Sequence, residues 1–410
     1  MKIASPERGE SATTLPFHQL LVRYGPEYLQ SFGSSMPTRQ RQVLQRILAC
    51  RTPALGGQLF GCPECGAYHY RYHSCNDRHC PLCGQSDAHE WLARQQSRLL
   101  LPTPYFLLTF TVPEPLRPWI RSHPIAGYDL LFDTSAQALQ DLAANPKRLG
   151  ASLGLLGILH TWSRTLIYHP HIHYLVPGGG LSPDQRQWIA AKEKFLLAVF
   201  PLSDHFRHLF YQGLKEHHPE AFRSLPPKMW KQRWVVHSLP VGSGQSALEY
   251  LSRYVFKTAT GNRPLQLCPD GRVRWPYRDS STGQWRTLNL PPGELLRRFL
   301  QHVLPSSYHR VRLFGWFHPA ARPKLNRVRA LLKQTPVLTQ AERDAWQPDQ
   351  PALEALPPAE PQLASAPECP HCHKPMARLS RCRISTQTLT TLIIPTIRIL
   401  TSLRTSRREI

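Results

Sequence analysis

The sequence predicts an α+β protein, with an N-terminal helical and cysteine-rich module ahead of a compact domain built on a central sheet. Three observations lead there. Residues 16–50, from "FHQLLVRYGPEYLQSF" through "TRQRQVLQRILAC", repeat their apolar positions at helical spacing. Residues 62–83 concentrate cysteines. From residue 104 onward, short apolar runs alternate with amphipathic stretches.

The apolar runs read as strands: "FLLTFTV" at 106–112, "LGLLGILHTW" at 153–162, "HIHYLV" at 171–176 and "WVVHSLPV" at 234–241. Residues 127–144, 204–217 and 246–259 between and after them have the periodicity of helices. Residues 272–290, "RVRWPYRDSSTGQWRTLNL", read as a hairpin turning at "SSTGQ". The helix predicted over 292–304 opens with proline in its first turn, where a missing N–H costs nothing. Residues 345–368 are rich in proline and alanine and read as a linker. The expected organisation is a helical, metal- and nucleic-acid-binding module over 1–103, a catalytic domain over 104–335, a Pro-rich linker over 336–368 and a Cys-rich tail over 369–410.

Lysine and arginine number 50 against 27 acidic residues, a formal charge of +23 with a pI near 10.0. This balance suits a polyanion partner, because each phosphate neutralised releases counterions, and it argues against an ordinary small-molecule enzyme. The opening "MKIASPERGESATT" is polar, without the apolar core of a signal peptide. "TLIIPTIRILTSL" is too short for a span and carries Pro395 and Arg398. The expectation is therefore a soluble cytoplasmic protein without a membrane partner. Its ten cysteines then read as metal ligands or free thiols rather than a disulfide framework.

"GCPECGAYHYRYHSCNDRHCPLCG" holds two Cys-Pro-x-Cys-Gly knuckles, Cys62/Cys65 and Cys80/Cys83, fourteen residues apart. Two intervening residues let both thiolates of a knuckle reach one ion, and the glycine lets the backbone turn around it. The spacing predicts one zinc-ribbon site from these four cysteines, with Cys75 and His79 as lower-ranked substitutes. Four thiolates leave no open position, so such a zinc is structural. Tyr68, Tyr70, Arg71, Tyr72 and Arg78 around it suit either DNA contact or the module's own packing. A weaker echo, "CPHCHKPMARLSRC", offers a possible second zinc site at Cys369 and Cys372, with Cys382, His371 and His373 as candidates to complete it. Its second knuckle is missing, and the residues beyond look unlike a folded ending.

In "HPHIHYLVPGGG" at 169–180, alternation puts His169, His171 and His173 on one strand face. Facing imidazoles are ready metal ligands. A zinc hydrolase would want an acidic residue close by, and none follows in "YLVPGGG". Glycines 178–180 read as either a tight turn or a place of close approach to the metal. In "EYLSRYVFKTA", Tyr250 and Tyr254 are four apart and share one face of a helix. A tyrosine hydroxyl, with a pKa of ~10, attacks a phosphodiester when a metal withdraws charge from the phosphate. Together the pieces describe metal-assisted attack that leaves a 5′-phosphotyrosine and a free 3′-hydroxyl. No nucleotide-binding G-x-x-x-x-G-K-[ST] loop occurs, in keeping with energy retained in the adduct.

"HPHIHYLVPGGG" and "YLSRYVF", preceded by "CRTPALGG", "CPECG" and "SCNDRHCPLCG", resemble the rolling-circle transposases of the insertion-sequence 91 family, within the His-hydrophobic-His endonuclease superfamily. The resemblance covers roughly residues 15–335, through "RRFLQHVLPSSYHRVRLFGWF". It implies a central antiparallel sheet with flanking helices and the histidines on a central strand. It implies His171 and His173 as ligands of a catalytic Mg²⁺ or Mn²⁺, Tyr250 and Tyr254 as paired nucleophiles, and Cys62, Cys65, Cys80 and Cys83 as the structural zinc site. The implied partners are single-stranded DNA at element ends and target DNA. The family pattern leaves a third metal ligand unassigned; position favours His160, then His237. A plasmid replication initiator and a catalytically dead zinc DNA-binding protein are the alternatives.

Overall fold

The computed structural model describes residues 13–83, 86–192, 194–255, 261–279, 282–334 and 367–382. The N-terminal part runs β1 (Thr13–Pro16), α1 (Phe17–Phe32), α2 (Thr38–Ala49), β2 (Gly57–Gly61), β3 (Tyr68–Tyr72) and α3 (Ser86–Leu99). The middle supplies β4 (Tyr105–Thr111), α4 (Arg117–Ser122), α5 (Pro124–Ala144), β5 (Gly154–Trp162), β6 (Tyr168–Pro177), β7 (Gly179–Leu181) and β8 (Trp188–Ala190). It continues with α6 (Val199–His217), α7 (Pro219–Ser224), β9 (Val235–Pro240) and α8 (Gln245–Val255). Then follow β10 (Pro264–Leu267), β11 (Val273–Arg278), β12 (Trp285–Leu290), α9 (Pro292–Leu300), β13 (Val311–Gly315), α10 (Arg322–Gln334) and β14 (Ala377–Cys382).

The fold is α+β, and its central sheet is antiparallel throughout, in the order β13-β5-β6-β4-β9. Alternation along the strands makes its two faces different. On one, Phe106, Phe110, Leu155, Ile172, Tyr174 and Val176 form a continuous core with Leu131 and Phe132 of α5 and Phe206 and Phe210 of α6. Each such side chain contributes roughly 1.5–3 kcal/mol by leaving water. Gly157 lets the Tyr174 ring lie against β5, since an added Cβ would meet that ring at 2.7 Å. The opposite face is apolar over only part of its length. There Leu156, Ile158 and Leu175 join Leu248 and Leu251 of α8, Val328 of α10 and Trp91 of α3. Further along the same face the strands carry histidines instead.

A second core ignores the domain limit expected at 103/104. Phe17, Leu20 and Leu21 of α1 and Val43, Leu44 and Ile47 of α2 pack with Leu265 and Leu267 of β10, Val273 and Trp275 of β11, and Leu295, Leu296 and Phe299 of α9. In step with that core, β1 pairs with β10 at the edge of the sheet β1-β10-β11-β12. The tail returns to the N-terminal module too, because β14 pairs with β2 in the sheet β14-β2-β3. Residues 367–382, with the truncated knuckle, are thus built into the fold; the stretch after it that looks unlike a folded ending, 383–410, lies outside the described residues, as does 336–366. Among the described residues no helix is long and apolar enough to cross a membrane.

Candidate active site and cysteine clusters

Three histidines converge at the open end of the sheet. On β6, His171 lies opposite His160 of β5, and His173 lies between Ile158 of β5 and Thr109 of β4. Ring centroids are 4.5 Å apart for His160 and His173, 4.9 Å for His171 and His173, and 5.3 Å for His160 and His171. One nitrogen from each ring lies within 4.8 Å of the others, close enough to share an ion. Of the two further ligand candidates, the structure brings in His160 and not His237. The latter is exposed on β9, across β4 from the histidine strand. His169 shares the strand face but stands outside the trio, its ring 5.3 Å from that of His171.

The electrostatics suit ligation by neutral imidazoles. Burial lowers the His171 pKa to about 3 and the His173 pKa to about 4, and it holds His160 well below the ordinary value. His171 Nδ1 donates to the His169 carbonyl at 2.7 Å, which leaves Nε2 as the nitrogen with a lone pair to offer. His173 Nδ1 lies 2.8 Å from Thr109 Oγ1; in the tautomer with Nε2 unprotonated, Nδ1–H donates to the hydroxyl.

The trio lies on the floor of a cavity of about 680 Å³, walled on its far side by Arg263, Trp275, Tyr277, Arg278 and Trp285. Apart from Arg263, which precedes β10, that wall is the β11–β12 hairpin predicted from the sequence, here packed on the N-terminal helices. The Arg263 guanidinium stacks 3.7 Å from the Trp275 ring, while Trp285 is 73% exposed at the rim. Helix α8 carries Tyr250 and Tyr254, whose side chains lie outside the described residues. Its inner residues Leu248 and Leu251 join Ile158 and Leu175, each two positions from a histidine of the trio, so α8 packs on the apolar part of the face that carries the histidines. The glycines after β6 do not serve the site. At ~3.3 Å per strand residue, Gly178 stands roughly 16 Å from His173. Cβ atoms on Gly178 and Gly180 would meet the Pro104 and Ser152 carbonyls at 2.9 and 2.4 Å, so close backbone packing explains them.

The cysteines depart from the predicted grouping. Cys62 and Cys65 do not share a site with Cys80 and Cys83; the thiols divide into Cys50, Cys75, Cys80 and Cys83, and Cys62, Cys65, Cys369 and Cys372. In the first group Cys50, at the end of α2, lies 3.5 Å from Cys83, and Cys75 lies 3.7 Å from Cys83. A tetrahedron with Zn–S bonds of ~2.3 Å has edges of roughly 3.8 Å, whereas a disulfide requires ~2.05 Å. The spacing therefore fits a structural zinc. Cys75 enters as a ligand candidate, but His79 does not. Its Nδ1 donates to Asp77 Oδ1 at 2.9 Å, and its Nε2 accepts from the Leu304 N–H at 3.1 Å. Arg39 and Arg46 approach the other Asp77 oxygen; despite burial, the His79 hydrogen bonds and then the Arg39 charge hold that carboxyl below its usual range. Arg78, a candidate DNA contact, instead donates to the Tyr308 and Pro305 carbonyls at 2.6 and 2.7 Å, fastening the module to the sheet domain. The Tyr70 and Tyr72 rings pack 4.8 Å apart, while Tyr68 is 70% exposed. His371 and His373 stay exposed and outside the second group, and the Cys382 side chain lies outside the described residues.

Comparison with known proteins agrees with these parts. A family described as "Putative transposase" matches residues 154–324, and one described as "Transposase zinc-binding domain" matches residues 20–112. The chain is 36% identical over 371 residues to "Putative transposase y4qJ" of Sinorhizobium fredii (strain NBRC 101917 / NGR234), covering 86% of this chain and 91% of that one. It is 28% identical over 303 residues to "Transposase for insertion sequence element IS801" of Pseudomonas savastanoi pv. phaseolicola, covering 67% of this chain and 69% of that one. No solved structure matches significantly. A zinc-binding module, the matched transposase domain and relatives along most of the chain lead to one conclusion: this protein is a transposase of the insertion-sequence 91 family.

Proposed function

We propose that this transposase nicks and rejoins single-stranded DNA at the ends of its element by a rolling-circle route, with Tyr250 and Tyr254 as nucleophiles and His160, His171 and His173 as ligands of a catalytic divalent cation. The observation that carries the reading is the convergence of three neutral imidazoles at the floor of an arginine- and tryptophan-lined cavity, on the sheet face against which the helix bearing both tyrosines packs. When bound, the cation withdraws charge from the scissile phosphate. The tyrosine hydroxyl gives up its proton as its oxygen attacks phosphorus, the bond to the 3′ oxygen breaks with its electron pair, and that oxygen takes up a proton, so none is gained or lost overall. The products are a 5′-phosphotyrosine and a free 3′-hydroxyl. A 3′-hydroxyl from another strand reverses the step, and a second tyrosine lets one adduct persist while the next strand opens. Three imidazoles suit Mn²⁺ better than Mg²⁺, which prefers oxygen ligands. The exposed Trp285 and neighbouring arginines suit stacking and phosphate contact with an unpaired strand.

The test is incubation with a labelled single-stranded element end and Mn²⁺, followed by denaturing electrophoresis. An adduct that survives denaturation, and disappears only in the double variant Tyr250→Phe/Tyr254→Phe, is expected. Wild-type protein that binds the ends but forms no adduct on either strand would refute the proposal.

A further inference from the structure

The match to a zinc-binding domain ends at residue 112, yet six cysteines fall within it and one tetrahedral ion uses four. With Cys50, Cys75, Cys80 and Cys83 grouped, Cys62 and Cys65 are left needing two more thiols. These come from the far end of the chain. Cys62 Sγ lies 3.4 Å from Cys372 Sγ, and Cys65 Sγ lies 3.6 Å from Cys369 Sγ, across 310 and 304 residues of sequence. Both separations are far beyond a disulfide and close to the roughly 3.8 Å edge of a zinc tetrathiolate.

The two knuckles also repeat one another in backbone geometry. Cys62 N–H donates to the Ala67 carbonyl at 2.8 Å, and Cys369 N–H to the Lys374 carbonyl at 2.8 Å, each five residues on. Gly66 N–H donates to the Cys62 carbonyl at 3.0 Å, and His373 N–H to the Cys369 carbonyl at 2.9 Å. The donors in this second pair both take left-handed backbone, with φ of 69° at Gly66 and 58° at His373. Glycine does this freely; histidine does it at a cost, so the turn is imposed rather than preferred. Strand β3 follows the first knuckle and β14 the second, and both pair with β2, the strand that leads into the first.

The apolar core here consists of Phe60 and Met376 beside Cys62 and Cys369, too few side chains to order the returning segment unaided. Two C-x-x-C turns facing each other over a three-stranded sheet form a zinc ribbon assembled from both ends of the chain. We infer that Cys62, Cys65, Cys369 and Cys372 bind a second structural zinc that clasps the C-terminal segment onto the N-terminal module.

Cobalt titration of the full-length, zinc-stripped protein tests this, because sulfur-to-cobalt charge-transfer absorption reports thiolate sites and is blind to the histidine trio. Wild type should saturate at two equivalents. The variants Cys369→Ser/Cys372→Ser and Cys62→Ser/Cys65→Ser should each saturate at one, and combining all four changes should remove no more. Saturation of wild type at one equivalent, or two equivalents retained in Cys369→Ser/Cys372→Ser, would overturn the inference. Because a misfolded variant could also lose signal, a second measurement cleaves wild-type protein between the transposase domain and residue 367. The tail fragment should co-elute with the body until a chelator releases it; co-elution that ignores the chelator, or is absent beforehand, counts against the site.

Discussion

Replacing Thr109 by valine isolates one hydrogen bond in the candidate metal site. Valine keeps the branched shape that suits β4 but removes the hydroxyl 2.8 Å from His173 Nδ1. His171 is oriented by a main-chain carbonyl, which no side-chain change removes, whereas the Thr109 hydroxyl beside His173 can be removed by substitution. Losing such a partner frees the ring to rotate and lowers ligand basicity, typically weakening metal binding tenfold to a hundredfold, or about 1.4–2.7 kcal/mol. An ordinary neutral hydrogen bond contributes only about 0.5–1.5 kcal/mol to stability, so the melting temperature should move little. The assay is the Mn²⁺ concentration that half-saturates adduct formation, with Mn²⁺ binding followed directly by magnetic resonance. An unchanged midpoint and unchanged binding would mean that His173 is not oriented by Thr109, or that it holds no metal.

Other predictions follow from single contacts. Arg78→Ala should lower unfolding stability by about 2–4 kcal/mol, since two main-chain carbonyls lose a charged donor; a calorimetric change below about 0.5 kcal/mol would dismiss Arg78 as the fastening. His302 accepts from Thr161 Oγ1 and donates to the Leu166 carbonyl, and burial lowers its pKa to about 4. Above pH 6.5 it is neutral whether the chain is folded or unfolded. Below that the unfolded chain takes a proton that the folded one refuses until about pH 4, so stability falls by up to about 1.4 kcal/mol per pH unit. His302→Gln should therefore lose about 1.6 kcal/mol less than wild type between pH 6.5 and 5, and denaturant unfolding at the two pH values measures the difference. Trp285→Ala should weaken single-stranded DNA binding by about 1–3 kcal/mol, read by fluorescence anisotropy, without lowering the melting temperature; equal affinity would remove Trp285 from the DNA path.

The sequence by itself determined whatever depends on neighbours along the chain. Alternation in "YHPHIHYLVP" placed His171 and His173 on one face, and helical spacing placed Tyr250 and Tyr254 together, because strand and helix periods are fixed by backbone geometry. Each C-x-x-C likewise announced that its own two thiols converge. The tertiary structure decided which separate pieces meet. His160 joins the trio through the β5–β6 register, and a register shift of one residue would have turned it to the other face. Cys50 and Cys75 replace Cys62 and Cys65 beside Cys80 and Cys83, while the knuckle at 369 finds its partner about 300 residues earlier. Spacing of fourteen residues made the wrong pairing look natural, since short loops close at little entropic cost. That cost grows only logarithmically with length, so a distant partner backed by strand pairing and four thiols competes readily with a near one. Pairing of this kind leaves no periodic trace, and only the folded chain reveals it.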